Sequence, residues 1–418
     1  MYQDLVERFN QTKIIDTHEH LISEEERLEK NVSFTDLYWQ YCLYDFQAAG
    51  MPKPDMLKMY NPATDLEEKW RLFMPWFELT KNGSYQRAGT ISMEKIYGIS
   101  ELNTLEDAET VTEKMRAANK PGLYNHILKD ICHLDKVMLF TNYRVDDPLY
   151  GSVWTVDAFT SFHSVEMLTH LEEPLGGMHY RFQDYLAALA AFVQKCKARG
   201  DSGFKLTAAY YRDLDFDLPT YSQAEAVFNR IILETSGRRG FTLGNNENRL
   251  LQNYLVNEFA RLLAEADMCM VFHTGIQTGL GNEINNSQPD KLWSLFTRYP
   301  NTRFVLLHTG LPWTRETILL AKYFPNVYVD FAWTHLISPT IAKNSIREYI
   351  DMAPMNKLLG FGGDYFTVET VYGHLMLARD VIASALHGAV MDGVMDAKSA
   401  YKWQDAMLYD NPKAVYKL

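Results

Sequence analysis

The chain has 418 residues, 47% of them hydrophobic and 22% charged, so a large core is readily filled. Its net charge of -12 includes no block of like charge, which argues against a nucleic-acid surface or an anionic membrane and leaves a small molecule as the expected partner. Cys42, Cys132, Cys196 and Cys269 form no C-x-x-C pair, residues 1–10 lack the apolar stretch of a signal peptide, and no uncharged apolar run could span a bilayer. A thiolate zinc site is therefore not expected, and the cytoplasm is the expected compartment.

The first apolar run, residues 14–20 (IIDTHEH), reads as a strand. Successive side chains on a strand alternate faces, so His18 and His20 project the same way and form half of a metal site. From about residue 23 to 135 the pattern is helical and rich in aromatics. There Thr64-Asp65-Leu66-Glu67 reads as a capping box opening an amphipathic helix through Trp70, Phe73 and Phe77, with Pro75 as a kink. Seven more short apolar runs follow, at 136–142, 153–159, 203–209, 268–273, 303–308, 327–331 and 358–362. Their near-continuous apolar character fits strands buried on both faces. Helical periodicity fills intervals between them, at 180–199, 250–266, 290–299 and 314–323, the last two closed by Pro300 and Pro325. This alternation predicts an α/β fold, a (β/α)8 TIM barrel built from 1–22 and 136–418, with 23–135 as a helical insertion after the first strand. A doubly wound sheet is the alternative, but no G-x-G-x-x-G follows the first strand. The insertion leaves the face of the barrel where active sites lie. It reads equally as a cap over the mouth or as a packed helical subdomain or dimer surface.

Three further strand ends carry chemistry. His273 closes MCMVFHTG, His308 closes FVLLHTG, and Asp364 follows the last strand in GFGGDY. In a barrel these converge with His18 and His20 on one mouth. Such a nitrogen and oxygen set suits Zn2+, with Mn2+, Fe2+ and Ni2+ compatible. Lys205, inside the apolar fourth strand, needs a reason to be there. It either reaches solvent or a carboxylate, or stands at the mouth, where carbamylation would let it bridge two metals. Tyr210 and Arg212 follow the fourth strand and are candidates for binding a substrate carboxylate, as is Arg87 in the insertion. Trp333 and His335 follow the seventh strand and are candidate pocket walls, His335 being equally readable as a loop residue. Glu19 faces the other side of its strand and is expected to make a structural hydrogen bond. His126, His133, His163, His170, His179, His374 and His387 are assigned to structure. There is no G-x-S-x-G, no Walker loop and no H-E-x-x-H.

With H-x-H on strand one, Lys205 on strand four, His273 on five, His308 on six and Asp364 on eight, the chain resembles the amidohydrolase superfamily, in its amidohydrolase-2 branch of metal-dependent hydrolases. IIDTHEHL and the two HTG strand ends carry the resemblance most specifically. It implies that His18, His20, His273 and Asp364 hold a first metal, and that His308 binds a second or acts as an acid/base group. Members with this lysine either carbamylate it and bind two metals or use it unmodified, so one or two ions remain open. The long insertion is similar to that of uronate isomerase, a relative that is not a hydrolase.

The expected function is hydrolysis of an amide, lactone or related C–N or C–O bond in a small, polar, carboxylated substrate through metal-activated water. Asp364 would act as general base and then acid, His308 or the metal would polarise the carbonyl, and Lys205 joins them as a catalytic candidate. Uronate isomerisation or decarboxylation on the same site is the alternative. A non-catalytic barrel is disfavoured because every ligand position is filled. The substrate, the metal and self-association into a homo-oligomer are left open.

Overall fold

The eight runs become eight short strands: β1 (Ile14–Glu19), β2 (Leu134–Phe140), β3 (Tyr150–Thr155), β4 (Gly203–Leu206), β5 (Cys269–Phe272), β6 (Arg303–Leu306), β7 (Val327–Asp330) and β8 (Leu358–Leu359). In the computed structural model, which describes residues 1–418 apart from 239 and 241, they pair in sequence order and in parallel. Past β8 the chain bonds back to β1. Thr17 N–H donates to the Phe361 carbonyl at 3.0 Å, Asp364 N–H to His18 at 2.7 Å, and His20 N–H to Tyr365 at 3.0 Å. The barrel thereby closes, and the H-x-H strand is held between β2 and the GFGGDY segment.

The predicted strand ends run too long where a turn hides in an apolar stretch. β3 stops at Thr155 because Asp157–Thr160 forms a helical turn, and β4 stops at Leu206 before the 3-10 turn Ala208–Tyr210. Both turns are tied by Asp157, whose carboxylate accepts the Thr207 N–H at 3.0 Å. The expected helix at 314–323 is Thr314–Tyr323, and that at 180–199 is Phe182–Ala198. The expected helix at 250–266 starts earlier, as Asn245–Ala266, and the segment at 290–299 divides into a 3-10 turn Pro289–Leu292 and a helix Trp293–Arg298.

The lumen is filled by Ile15, Met138, Phe140, Val153, Cys269, Val271, Val305, Leu307 and Leu359, and Val415 and Tyr416 pack against them from the C-terminal helix. Cys269 is thus a small buried hydrophobe. Burial of each large side chain in this layer contributes roughly 1.5–3 kcal/mol. Lys205 shares β4 with this layer and is 3% exposed.

Between β1 and β2 the chain forms helices that include Tyr41–Ala48, Leu66–Thr80, Ser84–Tyr97 and Leu105–Ala118. They enclose a separate aromatic core of Phe34, Tyr38, Phe46, Phe73 and Phe77. The helix predicted from the capping box is present, but its N-cap is Asp65, which accepts the Glu68 N–H at 2.8 Å. Thr64 instead donates its hydroxyl to the Lys58 carbonyl at 2.7 Å, so the helix opens one residue later than the box implied. Helix Leu66–Thr80 continues through Pro75. The insertion is seated on the barrel's long last helix, Val368–Met391. At the crossing with Ser84–Tyr97, a Cβ on Gly373 would lie 1.9 Å from the Ala88 carbonyl oxygen, so only glycine permits the approach. Beside it Arg27 pairs with Glu369 at 2.5 Å in full burial, and the Tyr97 hydroxyl donates to the same carboxylate at 3.0 Å. Among the described residues no helix is long and apolar enough to cross a membrane.

Candidate metal centre

At the mouth, His18 and His20 bring their Nε2 atoms to 3.2 Å from each other. Asp364 Oδ1 stands 3.4 Å from His18 Nε2 and 3.6 Å from His20 Nε2, so the three side chains form one compact N, N, O group. Lys205 Nζ enters the same group, 3.0 Å from His18 Nε2 and 3.2 Å from His20 Nε2. Across the mouth, His308 Nε2 lies 3.2 Å from His273 Nδ1 and 3.8 Å from Asp364 Oδ2. All six side chains expected at the metal therefore meet, with the two oxygens of Asp364 facing two imidazole pairs. The expected first set differs in one respect. His273 is grouped with His308 rather than with His18 and His20, because its Nε2–H is anchored on the Ile276 carbonyl at 2.9 Å.

These residues suit a divalent cation. A carbonyl oxygen only accepts, so the ring nitrogen facing one must carry the hydrogen. His308 Nδ1 faces the Ala332 carbonyl at 2.9 Å, and His273 Nε2 faces that of Ile276. The opposite nitrogens, His308 Nε2 and His273 Nδ1, then direct lone pairs at one another, an arrangement that a cation relieves. Burial, the largest effect at each ring, pushes His308 down to about 4 and holds His18, His20 and His273 well below the usual imidazole range. The four rings are thus neutral, the form that ligates.

The loops that carry the candidate ligands are strained where they turn into the mouth. His308, Thr309, Trp333 and Asp364 have φ of 59°, 50°, 63° and 60°, in the left-handed region that non-glycine residues avoid. Such strain costs on the order of 1–3 kcal/mol per residue and persists where the surroundings over-determine it. At Asp364 the surroundings are identifiable. Its carbonyl accepts the Tyr41 hydroxyl at 2.5 Å and Gln40 Nε2 at 2.9 Å, while Gln40 Oε1 accepts the Phe366 N–H at 3.0 Å. Glu19, between the two histidines, accepts the Tyr365 N–H at 2.7 Å, which is the structural bond expected of it. A Cβ on Gly363 would fall 1.8 Å from Glu19 Oε1, so any larger residue there would have to displace the Glu19 carboxylate. Asp16 completes the support by accepting the N–H groups of His18 and Gly363 at 3.1 and 3.2 Å. Gln40 and Tyr41, which carry no motif, escape a sequence reading; only their place in an insertion leaving the mouth pointed to them. Removing both side-chain clamps, in a Gln40→Leu, Tyr41→Phe variant, is expected to weaken metal affinity by about 10- to 100-fold in chelator competition, because groups behind a ligand tune it to that extent.

The remaining candidates divide. Tyr210 lies at the mouth, its ring 4.7 Å from that of His273 and its hydroxyl bonded to Thr278. Trp333 is buried, stacked on Tyr41 at 4.5 Å and edge-on to His308 at 5.3 Å, and forms a wall. Arg212 is not placed to meet a substrate. It is buried, stacks on Phe216, and donates to the Asp213 and Asp215 carbonyls and to Gln252 Oε1, so its fork holds its own loop. The chain pattern placed it correctly after β4 but could not show the loop folding back onto it. Arg87 is exposed on helix Ser84–Tyr97 and makes no side-chain hydrogen bond to the cluster. His335 is buried and donates to the Gly360 carbonyl at 2.8 Å, and His374 donates to Gly363 at 3.1 Å, both structural.

His335 gives a pH prediction. Burial pushes its pKa down to about 4 in the fold, against about 6.5 when unfolded. Its contribution is therefore fully present above the unfolded value and lost as pH falls toward the folded one, where the unfolded chain binds the extra proton. Between pH 6.5 and 4 the wild type should lose roughly 3 kcal/mol relative to His335→Gln, measured by denaturant unfolding at each pH.

Residues 230–418 match the Amidohydrolase family. Protein fluG of Emericella nidulans is 29% identical over 221 residues, which cover 52% of this chain and 25% of that protein, so the match spans about a quarter of that relative's length. Uronate isomerase of Brucella melitensis is 21% identical over 394 residues, covering 85% of this chain and 81% of that one. The crystal structure of uronate isomerase from Thermotoga maritima superposes with a TM-score of 0.79 at 17% identity, covering 99% of this chain and 97% of the other, and so shares the fold.

Proposed function

Because the chain belongs to the amidohydrolase superfamily, whose members are generally metal-dependent, we propose that it is a metal-dependent enzyme acting at the barrel mouth on a small, polar, carboxylated substrate. We propose isomerisation of a uronate as its reaction. The observation that carries the enzymatic reading is the convergence of His18, His20, Asp364, Lys205, His273 and His308 on one buried cluster. Isomerisation is supported by similarity to uronate isomerases that runs through the insertion as well as the barrel.

His18, His20 and Asp364 would hold the ion, and a divalent cation there supplies Lewis acidity toward substrate oxygen. The chain's own groups do the rest. Asp364 Oδ2, on the side facing His308, accepts a proton from the carbon beside the substrate carbonyl and returns it to the carbonyl carbon. The hydroxyl proton crosses between the two oxygens, and composition is unchanged. His308 Nε2 presents a lone pair fixed by the bond from Nδ1 to Ala332, and can hold the crossing hydroxyl proton in place. Trp333, Phe140 and Tyr210 line the mouth and limit water. Hydrolysis is the second reading, favoured by the Amidohydrolase match over 230–418, which contains His273, His308 and Asp364. It would use the same Asp364 as base toward water.

The test is incubation of the metal-loaded protein with D-glucuronate and D-galacturonate in D2O, followed by NMR. Isomerisation predicts a keto-uronate, with deuterium on the former aldehyde carbon to the extent that the proton held by Asp364 exchanges with solvent before its return. Absence of uronate turnover, together with solvent ¹⁸O entering the product of a lactone or amide panel, would establish hydrolysis instead.

A further inference from the structure

A cavity of about 530 Å³ lies beside the metal centre, between the insertion and the loops leaving β1 and β8. Ile22 and Phe366 form its barrel side, and Arg27, Trp39, Tyr60 and Lys69 form its insertion side. Its volume falls in the range of small-molecule sites. It adjoins the mouth through Phe366, whose ring is 5.6 Å from that of His20 and 5.8 Å from that of Trp39.

The charges on its wall are not all matched. Arg27 is committed to Glu369 and to Asn119 Oδ1. Asp36 accepts the Ser33 N–H at 2.8 Å, and Lys30, exposed at the rim, pairs with Glu26. Glu29 is exposed at the rim. Lys69, on helix Leu66–Thr80, is 3% exposed, yet its ammonium makes a single hydrogen bond, to Ser33 Oγ at 3.0 Å. An ammonium has three donors, so two are unspent, and among the described residues no carboxylate forms an ion pair with it. Its burial disfavours the charged form, and only the more distant Asp36 opposes that. A buried cation without a paired anion is costly, whereas a hydrophobic side chain of similar length would not be. Aromatic walls around one under-used cation match a ligand with an apolar or sugar-like body and a carboxylate.

We propose that this cavity binds a carboxylate group, with Lys69 as the cation that receives it. The carboxylate belongs either to the distal end of the metal-centre substrate or to a separate small carboxylic acid. The site stands on the cavity and Lys69, so it is testable whichever reaction the metal centre performs.

The experiment is calorimetric titration of the metal-loaded protein with D-glucuronate, with its uncharged counterpart D-glucose, and with benzoate. Wild type is expected to bind at least one of the two acids and not glucose. Lys69→Met should weaken that binding by about tenfold or more at unchanged metal content, and Lys69→Arg should keep it. Loss of the same binding in His20→Asn assigns the carboxylate to the substrate; retention assigns it to a separate acid. Equal binding by wild type and Lys69→Met, or no binding of either acid to wild type at millimolar concentration, overturns the proposal. Failure of the uronate assay with Lys69-dependent acid binding intact would sink the reaction and leave this site standing.

Discussion

Asp364→Asn is expected to lower kcat of the metal-loaded enzyme by about 10²- to 10⁴-fold, the usual worth of a positioned general base. Asparagine tolerates the left-handed backbone at φ 60°, so the loop and its bonds to Tyr41, Gln40 and His18 should persist. What is lost is chemical: the negative charge facing two imidazole pairs and the oxygen able to take a proton. Unfolding temperature should change little, while metal affinity falls because one ligand oxygen becomes a neutral amide. A variant with full metal content and full activity would show that Asp364 is not the base.

Lys205→Met carries the second large effect. Lys205 Nζ sits between the Nε2 atoms of His18 and His20, and burial brings its pKa down to about 8, with Asp364 and Asp157 pulling it up. An ammonium so placed is poised to lose its proton when a divalent cation arrives, leaving an amine at the reaction centre. Methionine keeps most of the apolar stem but removes the donor, the charge and the ammonium's contact over the Phe140 ring. Activity should fall by about 10²-fold or more. The His18, His20 and Asp364 group should still take up one ion, read by metal analysis of the variant. Loss of all metal from the folded variant would instead make Lys205 an essential support of that ion.

How legible the site was depended on where each residue sits. Strand ends were legible, because a histidine or aspartate closing an apolar run has only the barrel mouth to face. His18, His20, His273, His308 and Asp364 all followed that rule, and Lys205 announced itself by breaking an apolar strand. The barrel itself was legible through eight buried runs in order. Loop residues were not. Arg212 carried a planar fork at a promising position, but its donors are consumed by carbonyls one and three residues further along its own loop, which no pattern records. Gln40 and Tyr41 act on Asp364 from more than three hundred residues away in sequence. The pairing of His273 with His308 follows from one carbonyl, that of Ile276, fixing which ring nitrogen faces inward. Such details are set by tertiary contacts rather than by residue type.

A divalent cation is expected to bind at His18, His20 and Asp364. The most direct measurement of that binding is metal analysis of protein purified without chelator and re-equilibrated with Zn2+ or Mn2+, for wild type and for the His18→Asn, His20→Asn double variant. At least one ion per chain in wild type and none in a folded double variant is the predicted result. A folded wild type that takes up no ion, or a double variant that takes up as much, would contradict it.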